Sequence, residues 1–145
     1  MKKTVKEQPA KAPHKPAGDE HLCRVRALCS SLPETTEKIS HGEPTFFVKK
    51  RVYCMFANNH HHDGHIAVWI AAPPGLQAEV VRSEPEKYFR PPYVGVGGWI
   101  GIELTEIGDD ELAAHLLEAW KIIREKQAKP VKTLRAGPSP RAKRR

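Results

Sequence analysis

Residues 41–57 read HGEPTFFVKKRVYCMFA, and residues 88–104 read YFRPPYVGVGGWIGIEL. Both stretches hold short apolar runs rich in β-branched and aromatic residues, which are typical of β-strands. The tight Lys49-Lys50-Arg51 connection divides the first stretch into strands over residues 45–49 and 51–57. The sheet is therefore expected to include an antiparallel hairpin here.

Further strands are predicted on either side of a short helical segment. One should cover residues 65–71, because a polar loop with the turn signal Asp63-Gly64 precedes this apolar run. Residues 88–94 and 99–104 form a second predicted hairpin around the glycine-rich turn at residues 95–98. Two prolines restrict residues 88–94 to an edge or irregular strand. The sequence thus predicts an antiparallel sheet of about five strands.

Segments with helical periodicity lie before, between and after these strands. One helix is predicted from Asp19-Glu20 up to Pro33, since acidic residues suit a helix start and proline ends it. A short helix follows Pro74, and a long one begins at Asp109. The long helix carries an apolar stripe of Leu112, Leu116, Trp120 or Ala119, and Ile123. The fold class is therefore α+β, a two-layer sandwich in which an antiparallel sheet is backed by N-terminal and C-terminal helices.

The positive charge of the chain is concentrated at its ends. The 145 residues carry a formal net charge of +7. Residues 21–128 hold twelve Lys and Arg against fourteen Asp and Glu, whereas residues 129–145 hold seven Lys and Arg and no acid. We expect disordered basic tails over residues 1–18 and 129–145, because such segments bury too little apolar surface to fold. Residues 19–128 are predicted to form a single domain.

The cysteines and the hydropathy pattern indicate a reducing compartment and no membrane. Cys23, Cys29 and Cys54 form no CxxC pair and are interpreted as small buried thiols. The N-terminus is polar, and no apolar run approaches the ~20 residues that a transmembrane helix needs. The predicted location is cytoplasmic, and the predicted state is a monomer or a weak dimer.

No catalytic constellation is recognisable in the sequence. We find no nucleophile with its base and no glycine-rich phosphate loop between a strand and a helix. His41 and Glu43 are candidates for an acid and base pair, but they read more simply as a turn before Pro44. The run His60-His61-His62-Asp63-Gly64-His65 is interpreted as a polar loop, with metal binding as the alternative. The sequence therefore predicts a protein that is not an enzyme and has no cofactor and no metal.

Alternation along the strands gives the predicted sheet two different faces. Aliphatic residues such as Ile66 and Ile70 are expected to face the helices. The other face is then expected to present an aromatic surface made of Tyr53, Met55, Trp69 and Trp99. Such a surface can stack bases or take up an apolar ligand or protein partner. The alternative is that residues 88–98, or a second subunit, cover it.

Basic residues cluster at two places within the predicted domain, the first hairpin and the surroundings of the short helix. The members are Lys49, Lys50, Arg51, Arg82, Lys87 and Arg90. The C-terminal tail adds Arg141, Lys143, Arg144 and Arg145. A hairpin with a basic tip can grip phosphates, although charged tips also serve solubility alone. Convergence of the two clusters on one face would favour nucleic-acid binding, whereas their separation around an aromatic cleft would favour a ligand or a partner.

The order of elements and the two quoted stretches resemble the MmcQ/YjbR family over roughly residues 20–127. The family has a Gly-x-Pro-x-Phe entry to its first strand, which fits residues 42–46. It also has an apolar strand ending in Met/Phe, which fits Met55-Phe56, and a tryptophan that opens the last strand, which fits Trp99. The resemblance implies a fold like the sandwich of CyaY, the bacterial frataxin, and a DNA-binding role.

The leading hypothesis from the sequence is a cytoplasmic, non-enzymatic protein of the MmcQ/YjbR type that binds DNA. Because the core is slightly acidic and the tails are basic, this binding should be largely electrostatic and weakly sequence-specific. The alternative hypothesis is a protein-interaction or small-ligand-binding module that uses the aromatic sheet face.

Overall fold

The computed structural model describes residues 18–128, which form three helices and six strands. The helices are α1 (Gly18–Ser30), α2 (Leu76–Ser83) and α3 (Asp109–Ala128). The strands are β1 (Thr35–Ser40), β2 (Glu43–Val48), β3 (Arg51–Asn58), β4 (Ile66–Ile70), β5 (Tyr88–Phe89) and β6 (Ile100–Glu103). Apart from Gly18, the predicted tails lie outside the described residues, and with them Arg141, Lys143, Arg144 and Arg145. Within residues 18–128, no helix combines the length and the apolar character that crossing a membrane requires.

All six strands join one antiparallel sheet in the order β1-β2-β3-β4-β6-β5. The predicted α+β class and two-layer arrangement are confirmed. The sheet has one strand more than the sequence predicts, and that strand is β1. Its residues, TTEKIS, are mostly polar and exposed, so they show no apolar alternation.

Two-residue turns join the first three strands. His41 and Gly42 link β1 to β2 with φ values of 54° and 82°, and Lys49 and Lys50 link β2 to β3 with φ values of 51° and 82°. Two successive positive φ values are the mark of a type I′ turn, whose twist matches that of the flanking strands. The tight connection predicted at Lys49-Lys50-Arg51 is therefore present, although no glycine occupies it.

The main core lies between the sheet and helices α1 and α3. The buried side chains that build it include Val25, Cys29, Phe46, Phe56, Val68, Ile70, Ile100, Ile102, Leu112, Leu116 and Ile123. Arg24 of α1 fixes the start of α3, since its guanidinium donates to the carbonyl oxygens of Leu104 and Ile107, each at 2.8 Å. The same group pairs with the Asp109 carboxylate at 2.7 Å.

A β-bulge in β3 decides which side chains reach each face of the sheet. Phe46 pairs with Cys54 and Phe47 with Val52, so Tyr53 is an extra residue without a partner on β2. Tyr53 and Cys54 consequently both belong to the main core, whereas Val52 lies on the opposite face. The prediction that Tyr53 belongs to the aromatic face is wrong, because strict alternation does not survive a bulge.

The buried position of Tyr53 is fixed by its hydroxyl, which forms a hydrogen bond with the Thr35 hydroxyl at 2.9 Å. Burial raises the pKa of the Tyr53 phenol, and burial also raises the pKa of the Cys54 thiol beside it. Cys29 and Cys54 are buried as expected, but Cys23 is exposed on α1.

The second predicted hairpin is shorter than expected. Only Tyr88 and Phe89 pair with β6. Pro91 and Pro92 have no N–H to donate to a strand ladder, so the pairing stops before them. Val94–Gly97 then form a 3₁₀ turn in place of a hairpin tip.

Candidate ligand-binding cavity

One row of residues crosses the whole sheet on the face opposite the main core. The pairing register aligns one residue from each strand: Lys38, Thr45, Met55, Trp69, Gly101 and Phe89. In the middle of this row Met55 and Trp69, together with Ala57, form a second apolar cluster that is separate from the main core. Met55 and Trp69 are only 8% and 3% exposed, so other parts of the chain cover them.

Three loops rise around this row and border a partly open cavity of about 590 Å³. The strands provide its floor. The β1–β2 turn, the 3₁₀ turn His60–His62 and the segment between β5 and β6 provide its walls. Twelve residues line it: Ser40, His41, Thr45, Phe47, Val52, Met55, His60, His61, Trp69, Tyr93, Val94 and Trp99. The volume lies within the range of small-molecule pockets, roughly 300–1,000 Å³.

Tyr93 stands at the rim of the cavity on a strained backbone. Its φ of 63° and ψ of −73° fit the rare positive-φ γ-turn, across which the Val94 N–H donates to the Pro92 carbonyl at 2.6 Å. The side chain is 71% exposed, and its ring lies edge-on to the His61 ring with 6.4 Å between centroids. Such backbone conformations cost on the order of 1–3 kcal/mol and cluster at functional sites. The strain therefore marks this rim as a functional candidate.

The segment that carries Tyr93 is anchored from α2. Gln77 donates two hydrogen bonds through Nε2, to the Gly95 carbonyl at 2.8 Å and to the Trp99 carbonyl at 2.6 Å. The stem of Arg90 packs against Gly95, where a Cβ atom would lie 2.7 Å from Arg90 Cγ. These contacts hold the wall in place above the sheet.

The polar groups of the cavity are arranged around Trp69. His60 Nδ1 lies 3.2 Å from Glu43 Oε2, and both side chains are largely buried. The His60 ring is edge-on to the Trp69 ring at 5.4 Å between centroids, and the His61 ring lies 4.2 Å from that of His60. The Trp69 Nε1–H is buried and has no hydrogen-bond partner within residues 18–128. The cavity floor therefore includes a residue whose indole N–H is buried and unpaired within this part of the chain.

Three of the four residues predicted for the aromatic face line the cavity, namely Met55, Trp69 and Trp99. The alternative that residues 88–98 cover this face holds in part, since Tyr93 and Val94 form one side of the cavity.

Other lining residues were not predicted for this face. Alternation along β2 places Thr45 and Phe47 beside Met55, a pattern that was available in the sequence. The sequence indicates only a polar or metal-binding loop for His60 and His61. The sequence contains no signal for the γ-turn that places Tyr93 at the rim.

The two predicted basic clusters do not come together in the fold. Residues 49–51 are exposed at the β2–β3 turn, whereas Arg82 and Arg90 flank β5, and β4 and β6 lie between β3 and β5. Lys87, the third member at β5, pairs with the Glu111 carboxylate at 3.0 Å. The hydrogen bond that the Lys87 ammonium donates to the Glu111 carboxylate raises the pKa of Lys87 and lowers the pKa of Glu111. Lys87 is therefore already occupied by an acidic partner.

The histidines of residues 60–65 make contacts other than metal coordination. Within residues 18–128, no group of three or more His, Cys, Asp or Glu side chains is placed to hold a metal ion. His65 pairs with Glu103 and stacks on the Phe89 ring at 3.9 Å between centroids. His60 and His61 line the cavity.

The fold and the site define a class of α+β proteins that carry a cavity on the open face of an antiparallel sheet. A family model described as YjbR matches residues 30–122, from the end of α1 into α3. The chain belongs to the YjbR family. The comparisons with curated proteins and with solved structures returned no match.

Proposed function

We propose that this YjbR-family protein is a binding protein, not an enzyme, and that it holds a small, largely apolar ligand in the sheet-face cavity. The observation that carries the proposal is the cavity of about 590 Å³, with Met55 and Trp69 in its floor. Small-molecule sites usually combine an apolar, aromatic lining with a few polar groups that orient the ligand. The strained turn at Tyr93 and the separation of the two basic clusters support the same conclusion.

A neutral fluorescent probe tests this proposal. We expect N-phenyl-1-naphthylamine to bind the folded protein with saturable one-to-one stoichiometry and increased emission. Val52 lines the cavity, so Val52→Phe fills part of it. Because the larger side chain would occupy space that the probe needs, this substitution should weaken probe binding about ten-fold, a loss of about 1.4 kcal/mol.

Val96→Phe is the matched control. It makes the same chemical change on a side chain that is 83% exposed and does not line the cavity. It should leave the affinity for the probe unchanged, while circular dichroism melting checks that both variants are folded. Equal probe binding by Val52→Phe and the wild type, or no saturable binding by the wild type, would contradict the proposal.

A second candidate function is electrostatic DNA binding, which the charge of the C-terminal segment favours. Residues 129–145 carry seven Lys and Arg and no Asp or Glu, whereas residues 21–128 have a small excess of acids. Such a segment attracts a polyanion through counterion release, which carries little sequence information. The two candidate functions use different residues and are compatible in one chain.

Replacing the seven cations of residues 129–145 by glutamine in the full chain should weaken binding to duplexes of unrelated sequence about equally. The slope of log affinity against log salt should flatten by several units, since each neutralised phosphate contributes roughly −0.9. Charge reversal at Lys49, Lys50 and Arg51 is the comparison and should have the smaller effect. The proposal fails if sequence discrimination survives the glutamine substitutions and disappears when the hairpin charges are reversed.

A further inference from the structure

We infer that residues 10–16, which read AKAPHKP, dock on the open side of the cavity and compete with its ligand. The inference rests on the proposed ligand-binding function and gives that site a regulator within the same chain. Three observations support it: aromatic rings at the cavity opening, an apolar repeat in the segment, and the place where the segment enters the fold.

The open side of the cavity presents aromatic rings. Tyr93 is 71% exposed, and its ring lies edge-on to that of the exposed His61 with 6.4 Å between centroids. Trp99, which also lines the cavity, is half-buried. Domains that bind proline-rich segments do so through aromatic-lined grooves, which hold the segment in the polyproline II conformation. The opening therefore has the side chains that such a segment requires.

The segment carries apolar residues at a regular spacing, since Ala10, Pro13 and Pro16 recur every three residues. A polyproline II helix has three residues per turn, so these side chains would lie on one side of it and Lys11 and His14 on another. This conformation needs no internal hydrogen bonds and is common in unfolded chains. A segment whose composition predicts no fold of its own can therefore adopt it at low entropic cost.

The segment enters the fold beside two walls of the cavity. Gly18 is buried against Asn58, the last residue of β3, and this contact leaves no space for a Cβ atom. The β1–β2 turn and the 3₁₀ turn His60–His62 lie at the same end of the sheet, where β2 begins and β3 ends. Both turns line the cavity. From Gly18 the segment has only to pass around this end of the sheet to reach the opening.

The length of the segment matches the distance it must cover. A polyproline II chain rises about 3.1 Å per residue, so Pro16 can lie about 6 Å from Gly18 and Pro13 about 16 Å from it. Met55 in the cavity floor precedes Asn58 by three residues, which is about 10 Å along the strand. Pro16 is therefore expected at the wall and Pro13 over the lining.

Replacing both prolines, Pro13→Ser with Pro16→Ser in the full chain, should strengthen binding of N-phenyl-1-naphthylamine about five-fold. A short tether gives an effective concentration on the order of 1 mM, so a docking affinity of about 0.25 mM keeps roughly 80% of the cavities occupied. When only about a fifth of the molecules are open, the apparent affinity for a competitor falls about five-fold. Fluorescence titration measures the change, and circular dichroism melting checks folding.

Pro138→Ser with Pro140→Ser is the matched control. It makes the same two changes in the other basic segment, where the prolines are two residues apart. Its affinity for the probe should stay within about two-fold of the wild type. The wild-type affinity should also be the same at protein concentrations that differ ten-fold, because each segment acts on its own chain.

Nuclear magnetic resonance of the isotope-labelled full chain tests the contact directly. We expect nuclear Overhauser effects between the Pro13 ring protons and the rings of Tyr93 or Trp99. They should disappear when excess N-phenyl-1-naphthylamine is added, because the probe and the segment need the same space.

The outcomes distinguish the docked segment from the proposed function. Equal probe binding by the folded Pro13→Ser, Pro16→Ser variant and the wild type, or no contact from Pro13 to a lining residue, overturns the inference. An apparent affinity that falls as the protein concentration rises assigns the segment to a second copy and also overturns it. In each case, one-to-one probe binding that Val52→Phe weakens leaves the proposed function intact. If neither the wild type nor the proline variant binds the probe, the proposed function fails, and the inference fails with it.

Discussion

Trp69→Ala is expected to lower the free energy of unfolding by about 3–5 kcal/mol, a large part of the stability of a domain of this size. Trp69 lies on the central strand β4, is 3% exposed and pairs directly with Met55 on β3. Its removal leaves a void in the cavity floor and deprives His60 of its edge-on ring contact. Urea denaturation followed by far-ultraviolet circular dichroism measures the loss without depending on tryptophan emission.

Trp99→Ala is the matched comparison, because it removes the same side chain from a half-buried position at the opening of β6. The loss should be smaller, on the order of 1–3 kcal/mol, since less apolar surface returns to water. His61→Ser alters an exposed loop residue and should stay within about 0.5 kcal/mol of the wild type. A cost for Trp99→Ala equal to that for Trp69→Ala would show that burial does not determine the contribution of these indoles.

Gly101→Ala is expected to destabilise the protein by about 1–3 kcal/mol, because the Phe89 ring occupies the space that a side chain needs. A Cβ atom on Gly101 would lie 2.4 Å from Phe89 Cζ and 2.6 Å from Cε2. The ring cannot move aside freely, since it stacks on His65 at 3.9 Å with an interplanar angle of 7°. Thermal and urea denaturation of the variant measure the effect.

Two further variants show whether Phe89 is the cause. Gly97→Ala should be nearly silent, because a Cβ atom there meets nothing within 4 Å. In a Phe89→Ala background, Gly101→Ala should cost much less than in the wild type, and the double-mutant cycle gives the coupling. An unchanged cost in that background would refute the steric explanation.

The two-layer architecture could be predicted because the strongest periodicities belong to the elements that build the main core. The stripe of Leu112, Leu116 and Ile123 becomes the buried side of α3, and the alternation in Ile66–Ile70 becomes β4. An element that buries one face has apolar residues at regular spacing, and this spacing is visible within a single segment of the sequence. Trp69 could be assigned to the second face for the same reason.

The features that escaped prediction depend on partners distant in sequence. The bulge exists only relative to β2, so no pattern within β3 reveals that Tyr53 turns to the core and Val52 to the cavity. The γ-turn at Tyr93 likewise belongs to a segment held by Gln77 of α2. The sequence could therefore indicate an aromatic face but not the cavity that the loops form above it. The cytoplasmic location, the CyaY-like relationship and the monomeric or weakly dimeric state stay predictions.

Strand β1 has a consequence for the solubility of the chain. Without it the edge of the sheet would be β2, whose sequence EPTFFV is buried at five of six positions. An apolar edge strand with unpaired backbone groups is a template for cross-β stacking and amyloid growth. β1 covers that edge and presents Glu37 and Lys38 in its place. A stretch with almost no apolar pattern thus protects the edge of the sheet, and we expect substitutions that loosen residues 35–40 to make the protein aggregate more readily.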